Sequence, residues 1–255
     1  MTYPSFRKFL PIAVIATLSL AGCKTTAQWQ QQQSYQANRF VVNNEVTADS
    51  AMLQYIEPYK QRLRAQMDTV IGKTAQILPR TAKDGQSLAG NFFADALLSL
   101  GQQLDSDVVC SLGTSGGIRV DIAEGDIQIG KVFELMPFEN YLTVLTLKGE
   151  DLLVLGKYIA KTNGQPVAGM SVTIKDQQLV SMKIKGETVD PNKTYKLVTY
   201  DYLANGGDNI EGIGNPAQRE DSSLRVREGL IDYISSQSKQ GKLINATRDE
   251  RIIIL

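Results

Sequence analysis

The spacing of apolar residues along the chain predicts four helices. Over residues 48–72, and again after Ser87, apolar side chains recur every three or four positions, as they do on one face of a helix. Pro58 either starts the first helix or kinks it, and Ser87 is a suitable N-cap for the second. Two more helices are predicted at 149–161 and 224–235. We expect the first helix to pack on the domain. The residues expected to face inward are Leu53, Ile56, Tyr59, Leu63, Met67 and Val70 on the first helix, and Leu88, Phe93, Leu97, Leu100 and Leu104 on the second.

Short runs that are alternating or wholly apolar predict the strands. Residues 107–113 form an apolar run, and Asp176-Gln177-Gln178 separates two apolar runs as the turn of a hairpin would. Because strands and helices mix without strict alternation, we expect an α+β fold, with mixed sheets flanked by helices, over a doubly wound sheet. The predicted strands are 107–113, 118–122, 141–147, 172–174, 180–184, 194–200 and 251–255.

The N-terminus has the pattern of a secreted protein. Two basic residues precede an apolar run over 9–20, which is too short to span a bilayer. The run ends in Leu20-Ala21-Gly22-Cys23, which resembles a bacterial lipobox, and a plain signal peptide with a chance cysteine is the alternative. We therefore expect a signal peptide over 1–22, lipidation of Cys23, a flexible Gln-rich tether over 23–47 and one domain over 48–255.

A lipid anchor of this kind would place the protein in the bacterial cell envelope. Lys24 stands where an aspartate would retain such a lipoprotein in the inner membrane, so we expect the outer membrane, on its periplasmic side. The 27 Lys and Arg residues balance 27 Asp and Glu residues, so no surface for nucleic acid is expected. Cys110, the only cysteine besides Cys23, lies in an apolar run, which predicts a buried free thiol and no disulfide.

A glycine-rich turn and two aromatic turns carry the candidate chemistry. Residues 113–117 are Gly-Thr-Ser-Gly-Gly, which lets the backbone approach a ligand closely, and Arg119 follows as a permanent cation. Phe138 and Tyr202 each lie at a turn, and Asp208 follows a Gly-Gly pair. Together these residues offer a charge for a phosphate, two rings for a base and a carboxylate for a ribose diol.

The absence of histidine from the sequence excludes several kinds of active site. Residues 113–117 match the G-x-S-x-G pattern, but a serine hydrolase of that kind needs a histidine base and a helix straight after the serine. A P-loop is excluded because no Gly-Lys-Ser/Thr follows a glycine run, and no cluster of aspartates indicates a carboxylate metal site. We therefore expect no catalytic residue and no metal ligand in this chain.

Three motifs resemble the C-terminal, substrate-specificity domain of the 5'-nucleotidase / UDP-sugar hydrolase family. They are Gly116-Gly117-Ile118-Arg119, Pro137-Phe138-Glu139-Asn140 and Ala204-Asn205-Gly206-Gly207-Asp208, and the resemblance covers roughly residues 50–215. It implies the fold of that domain and a nucleotide or nucleoside ligand. The family normally carries a histidine-containing dimetal phosphoesterase domain upstream, and this sequence lacks it. A divalent metal is therefore expected only if a separate catalytic chain supplies one.

For the base, the resemblance implies four contacts. Phe138 and Tyr202 correspond to the two rings that enclose the base, and Asn140 corresponds to a polar contact with it. Thr114 stands where many relatives carry a base-contacting asparagine, which predicts weak discrimination between bases. A tyrosine at a strand end is also commonly structural, which is the alternative interpretation of Tyr202.

For the sugar and phosphate, the resemblance implies three further contacts. Asp208 corresponds to the ribose-binding aspartate, Arg119 to a substrate-contacting arginine, and Lys83 to a second such arginine. The alternatives are an aspartate that satisfies turn amides, an ion pair of Arg119 with Asp121 or Glu124, and an exposed loop lysine.

Three functions remain open at this point. The first is an envelope lipoprotein that binds a nucleotide or nucleoside and is not catalytic alone. The second is the specificity half of a split 5'-nucleotidase or UDP-sugar hydrolase, working with a separate metallophosphoesterase chain. The third is an envelope interaction domain whose pocket is vestigial. The expected partners are the nucleotide or nucleoside and the membrane, with the separate catalytic chain added in the second case.

Overall fold

The computed structural model describes residues 39–43 and 45–255. The predicted signal peptide over 1–22, Cys23 and most of the tether over 23–47 lie outside the described residues. Residues 50–255 form one compact unit, which contains all the helices and strands described. Within the described part of the chain, no helix combines the length and the apolar character needed to cross a membrane.

Helices and strands alternate irregularly along this part of the chain. The first half contains α1 (Ser50–Met67), β1 (Val70–Thr74), α2 (Leu88–Leu104), β2 (Val108–Leu112), β3 (Gly125–Gln128), α3 (Ile129–Leu135), β4 (Tyr141–Lys148) and α4 (Gly149–Lys161). The second half contains β5 (Val167–Ala168), β6 (Met170–Lys175), β7 (Gln178–Ile184), β8 (Glu187–Thr188), β9 (Thr194–Tyr200), α5 (Asp201–Ala204), β10 (Gln218–Arg225), α6 (Val226–Lys239) and β11 (Ile252–Ile254). Short 3-10 turns lie at Ser115–Gly117 and Gly207–Asn209.

The strands form three sheets. The five-stranded sheet has the order β10-β4-β9-β2-β5, in which β2 and β9 are parallel and the other pairs antiparallel. The four-stranded sheet has the order β11-β6-β7-β8, with β11 parallel to β6, and β1 pairs with β3. These mixed sheets with helices beside them confirm the α+β prediction.

Helix α2 packs on the five-stranded sheet and holds β2 in place. Ser87 caps the helix as predicted, since its hydroxyl accepts the N–H of Gly90 at 3.0 Å. Phe93 and Leu97 are fully buried, and Ser111 of β2 donates to the carbonyl of Ala94 at 2.7 Å. The helix and the parallel pair β2–β9 therefore pack together, and both strands end at the same edge of the sheet.

Three further local predictions concern Cys110, the hairpin at Asp176 and the side chain of Leu104; the first two are confirmed and the third is wrong. Cys110 of β2 is a buried free thiol, and burial raises its pKa to about 12. The hairpin around Asp176 and Gln177 forms between β6 and β7, with both residues at positive φ. Leu104, predicted to face inward, is 44% exposed because it lies in the last turn of α2.

Helix α1 differs from its prediction in both length and packing. It ends at Met67, not at residue 72, and Val70 begins strand β1 instead. Pro58 lies inside the helix, and Leu63, one of the residues expected to be buried, is 56% exposed. The carbonyl of Met67 lies against Gly130, so the contact with the domain is at the C-terminal end of the helix. The apolar periodicity predicted the helix but not what covers its face.

Two further predictions are wrong near the strand ends. Residues 118–122 form no strand, because the N–H of Arg119 bonds to the carbonyl of Leu135 and Ile122 pairs only with Leu78. The last helix begins at Val226 instead of residue 224, because the preceding segment continues as β10 along β4. Strand β3 and helix α3, which follow 118–122, were not predicted from the sequence.

Candidate functional site

Three turns meet at one edge of the five-stranded sheet. Because β2 and β9 are parallel neighbours, the glycine turn after Leu112 and the turn after Tyr200 leave the sheet side by side. Strand β4 runs antiparallel to β9 and pairs Leu142 with Tyr200, so the segment before β4 arrives at the same edge. The three sequence motifs, far apart along the chain, are thus brought together by strand order.

These turns enclose a cavity of about 310 Å³. Of the seven predicted binding residues, six line it and Lys83 does not. The lining residues are Thr114, Gly116, Gly117, Arg119, Phe138, Asn140, Tyr200, Tyr202 and Asp208. Within residues 39–43 and 45–255, no three His, Cys, Asp or Glu side chains come together as a metal site would require.

The glycine turn forms one wall of the cavity and places a guanidinium on it. Residues Ser115–Gly117 form a 3-10 turn, closed by a 3.1 Å bond from the N–H of Gly117 to the carbonyl of Thr114. A Cβ on Gly117 would lie 3.0 Å from the hydroxyl of Tyr200, so a larger residue would crowd the cavity floor. The exposed Arg119 donates to the carbonyl of Gly116 at 3.1 Å and keeps its other donors available to a ligand.

The side chain of Arg80, which was not singled out from the sequence, supports the main chain that carries Arg119. Arg80 donates through Nη1 to the carbonyl oxygens of Ile118 at 3.1 Å and of Arg119 at 3.3 Å. The backbone N–H of Arg80 also donates to Oδ1 of Asp121 at 2.8 Å. Asp121 was one of the two acidic residues considered from the sequence as an ion-pair partner of Arg119. No periodic pattern in the sequence indicated a role for Arg80. It lies in a loop, and its contacts are with Ile118, Arg119 and Asp121, about forty residues away.

Lys83, predicted as the second cation of the site, lies elsewhere. Its backbone pairs with that of Gln86 across a tight turn in which Asp84 and Gly85 have positive φ. The side chain of Gln86 donates to the carbonyls of Asp249 and Ile252, which ties this turn to the C-terminal segment. Neither Lys83 nor Arg80 is among the residues that line the cavity, so the second cation predicted from the sequence is not found in its lining.

Phe138 projects into the cavity from a turn that Arg227 supports. Phe138 is 38% exposed and lines the cavity, so part of its side chain is accessible to a ligand. Arg227 donates to the carbonyl of Phe138 at 3.2 Å, pairs with Glu139, and lies with its guanidinium carbon 4.1 Å from the centre of the Phe133 ring. The hydrogen bond from Arg227 lowers the pKa of Glu139, so the pair remains charged at neutral pH.

Tyr202 and Asp208 both line the cavity and are bonded to each other. Asp201, at the start of α5, accepts the N–H of Tyr202 at 2.8 Å and that of Tyr141 at 3.1 Å, which fixes the helix to β4. Tyr202 is 48% exposed, and its hydroxyl donates to Oδ1 of Asp208 at 3.0 Å. A Cβ on Gly207 would lie 2.5 Å from the Tyr202 ring, so only glycine allows the ring to lie this close.

The floor of the cavity is a pair of hydroxyl groups. The hydroxyls of Thr114 and Tyr200 lie 3.3 Å apart, and either can donate to the other. Burial raises the pKa of Tyr200 to about 12, so this hydroxyl stays protonated at neutral pH. From the sequence, Tyr200 was predicted only as part of a strand. Its position two residues before Tyr202, at the end of that strand, is the signal that indicates a role at the same edge.

Comparisons with known proteins agree with this geometry. The family model described as 5'-nucleotidase, C-terminal domain, matches residues 70–214. The chain is 27% identical to protein UshA of Escherichia coli over 221 residues, covering 84% of this chain and 39% of that protein. It is 25% identical over 214 residues to a 5'-nucleotidase of Vibrio parahaemolyticus, covering 80% of this chain and 37% of that protein.

A solved structure shares the fold. The 5'-nucleotidase precursor from Thermus thermophilus superimposes with a TM-score of 0.68 and 26% identity, over 83% of this chain and 44% of that one. This chain thus spans about two fifths of the length of these three relatives. With the family model covering more than half of its residues, the chain belongs to the family of 5'-nucleotidase C-terminal domains.

Proposed function

We propose that this domain binds a nucleotide or nucleoside in the cavity at the sheet edge and does not hydrolyse it alone. One observation carries the proposal: two exposed rings, Phe138 and Tyr202, line a single cavity together with Arg119 and Asp208. A volume of about 310 Å³ is at the lower end of the usual range for small-molecule sites. The exposed Arg119 lines this cavity, where it can reach a phosphate that extends towards solvent.

Each part of the ligand has a matching group. The base lies between Phe138 and Tyr202, and stacking on an aromatic ring contributes about 1–3 kcal/mol per base. The phosphate lies near Arg119, the one cation among the residues that line the cavity. Asp208 accepts a hydrogen bond from the ribose.

Base discrimination in this site is weak. Asn140 offers an amide beside the base, while Thr114 and Tyr200 offer hydroxyls that can each donate or accept. A pair of hydroxyls can reverse its donor direction to suit either a carbonyl or an amino group on the base. Adenine and uracil nucleotides are therefore expected to bind with similar affinity.

Titration calorimetry of the domain with adenosine, AMP, ADP and UDP-glucose tests the proposal. We expect heat of binding for all four, and we expect Arg119→Ala to weaken AMP and ADP more than adenosine, because it removes a charge-assisted phosphate contact. Lys83→Ala is the matched control, since this exposed lysine lies outside the cavity, and it should leave every affinity unchanged. Absence of heat for every ligand would support the vestigial pocket and the interaction-domain function.

A second candidate function is the specificity half of a split nucleotidase. Its support is the similarity to longer proteins named 5'-nucleotidase, of which this chain spans about two fifths. Because the chain contains no histidine, the purified domain is expected to release no phosphate from AMP, with or without Mn²⁺, Zn²⁺ or Co²⁺. Phosphate release that appears only when a co-purifying metallophosphoesterase chain is added back would favour the split enzyme. Metal-dependent release that follows this chain through purification would contradict both candidates.

We propose, from the lipobox motif, that the mature protein is a lipoprotein of the bacterial envelope, anchored in the outer membrane and facing the periplasm. Several acyl chains on one cysteine give stable anchoring where one chain would not. Cys23→Ala is therefore expected to release soluble or uncleaved protein, measured by membrane fractionation and by the mass of the mature N-terminus. Cys110→Ala is the control, because this second cysteine of the sequence lies in strand β2 and is not part of the lipobox motif. A Cys23 variant that matures and fractionates like the wild type would exclude the anchor.

A further inference from the structure

Helix α1 carries an apolar stripe that its own domain leaves in water. Every residue of Ser50–Met67 is described, and none of them is buried. Tyr55, Ile56, Tyr59 and Leu63 recur every three or four residues along one face, and they are between 40% and 68% exposed. The rings of Tyr55 and Tyr59 lie 6.0 Å apart, so the stripe is continuous. An amphipathic helix normally buries such a face, which indicates an interaction surface here.

The helix is attached to the domain only near its C-terminal end. The carbonyl of Met67 lies against Gly130, and the carbonyl of Thr69 just beyond the helix accepts the N–H of Ile129 at 3.0 Å. The helix is about 27 Å long at the usual rise per residue. Most of the stripe therefore extends away from these contacts, where a second molecule can reach it.

The side chains at the edges of the stripe are complementary to those of a second copy of the same helix. Glu57 and Lys60 lie along one edge, and Tyr55 and Arg62 along the other. When two copies pack antiparallel about a two-fold axis, each edge faces the same edge of the other copy. With the axis just before Tyr59, Glu57 faces Lys60 of the second copy, and Tyr55 faces Arg62. Each helix pair thus gains two ion pairs and two cation–π pairs.

The charges at this edge remain available to a second copy. Within one helix, Nζ of Lys60 lies 3.8 Å from Oε2 of Glu57, which is too long for a charge-assisted hydrogen bond. The amide of Gln61 donates to Oε1 of Glu57 at 3.2 Å, which leaves further acceptor positions on the carboxylate. The side chains of Glu57 and Lys60 are each 46% exposed. A second helix can therefore approach this edge and replace the long ion pair by shorter ones.

We infer that the stripe of α1 is a dimer interface, on which the same stripe of a second copy packs antiparallel. The two Tyr59 rings then lie at the axis, and Ile56 and Leu63 of both copies interleave on either side of them. The two copies together withdraw on the order of 1,000 Å² from water, which is near the lower limit for a specific interface. None of these residues lines the sheet-edge cavity, so dimerisation and nucleoside binding are tested separately.

Cysteine cross-linking of the full chain tests this interface, with dimer measured on a non-reducing gel. Tyr59→Cys brings the two thiols within about 2 Å of each other along the helix axis, so mild oxidation should give mainly dimer. In Leu63→Cys the thiols lie about 13 Å apart along the axis, and the dimer yield should be at least about tenfold lower. Gln61→Cys, on the opposite face, is the matched control and should give no more dimer than wild type, in which Cys23 and Cys110 set the background.

Charge reversal, made in the Tyr59→Cys protein, tests the register of the two helices. Glu57→Lys or Lys60→Glu alone places like charges across the axis, and each should lower the rate of cross-linking about fivefold, because two exposed pairs are reversed. When the two variant chains are produced together with different tags, opposite charges face each other again, and the mixed dimer should form at the original rate. Like charges remain within each helix, so only a contact between two chains explains this rescue.

Several results would overturn the antiparallel dimer. Similar yields from Tyr59→Cys and Leu63→Cys would indicate parallel pairing, and an equal yield from Gln61→Cys would indicate random collision. Charge variants that cross-link no faster with each other than with themselves would exclude the register. Absence of dimer in Tyr59→Cys, as expected if the stripe lies on lipid or on another protein, would exclude the second copy as its partner.

Discussion

Phe138→Ala is expected to weaken the binding of adenosine and AMP by about tenfold or more. One stacking face on a base contributes about 1–3 kcal/mol, and about 1.4 kcal/mol corresponds to a factor of ten. The ring is 38% exposed and lines the cavity, so its removal takes away ligand contact more than core packing. Calorimetric titration of both ligands measures the effect, and both should lose affinity by a similar factor because both share the base.

A matched control separates stacking from a general loss of aromatic surface. Tyr59→Ala removes an exposed ring from helix α1, which does not line the cavity, and should leave both affinities unchanged. Phe138→Leu keeps apolar bulk without a ring and should fall between wild type and alanine. Equal affinity in wild type and Phe138→Ala, with the fold intact, would show that the base does not stack on this ring.

Arg227→Ala is expected to lower the free energy of unfolding by about 2–3 kcal/mol and to weaken ligand binding in the protein that remains folded. The side chain is only 8% exposed, and it joins α6 to the turn that carries Phe138. Its removal leaves the carbonyl of Phe138 without its charged donor and leaves Glu139 with Arg225 as its remaining cationic partner. It also uncovers the ring of Phe133. The expected loss stays below that for a fully buried pair because Glu139 is exposed and can be hydrated.

Arg225→Ala provides the control for this variant. Arg225 pairs with the same Glu139 at 2.8 Å and with Glu228 at 2.9 Å, but it is much more exposed than Arg227. Exposed pairs contribute about 0–1 kcal/mol, so this variant should lose less than about 1 kcal/mol and keep its affinity for adenosine. Urea unfolding measures the free energy of unfolding of each variant. Titration with adenosine, under conditions well below the midpoint of unfolding, measures the affinity of the folded protein. Similar losses for the two variants would mean that the turn does not depend on Arg227.

Local signals in the sequence were sufficient for most of the secondary structure. Ser87 before an apolar run predicted the start of α2, and alternation predicted β4. The 149–161 helix formed with its predicted limits, and the turn around Asp176 and Gln177 formed a hairpin. For the two helices and the turn, the deciding interactions lie within a few residues, where spacing and turn chemistry contain the information. Strand β4 was predicted from its own sequence pattern, although its partners β9 and β10 lie tens of residues away.

Errors arose where the partner lies far along the chain. The apolar periodicity of α1 continued to Val70, but pairing with β3 turned that residue into the start of a strand. Residues 118–122 looked like a strand, yet the backbone of Arg119 bonds to Leu135. Leu63 has the spacing of a core residue and lies exposed. Periodicity describes a face of an element and contains no information about whether another element covers it.

The sequence by itself determined the α+β class, the absence of any histidine-based site, and six residues that line one cavity. The glycine turn, the rings and the fixed cation are chemical signals in the sequence itself, and the resemblance of the three motifs to a known family supplied the remaining assignments, Thr114 and Asn140 among them. Only the tertiary structure decided that Lys83 does not line the cavity and that Arg80 bonds to the main chain of Arg119. It also decided that Arg227 holds the turn of Phe138 and that Tyr202 is bonded to Asp208. The physical reason is that the strand order β4-β9-β2 brings the three turns to one edge of the sheet. The direction of each loop and the hydrogen bonds of its side chains depend on that arrangement, which exists only in the folded chain.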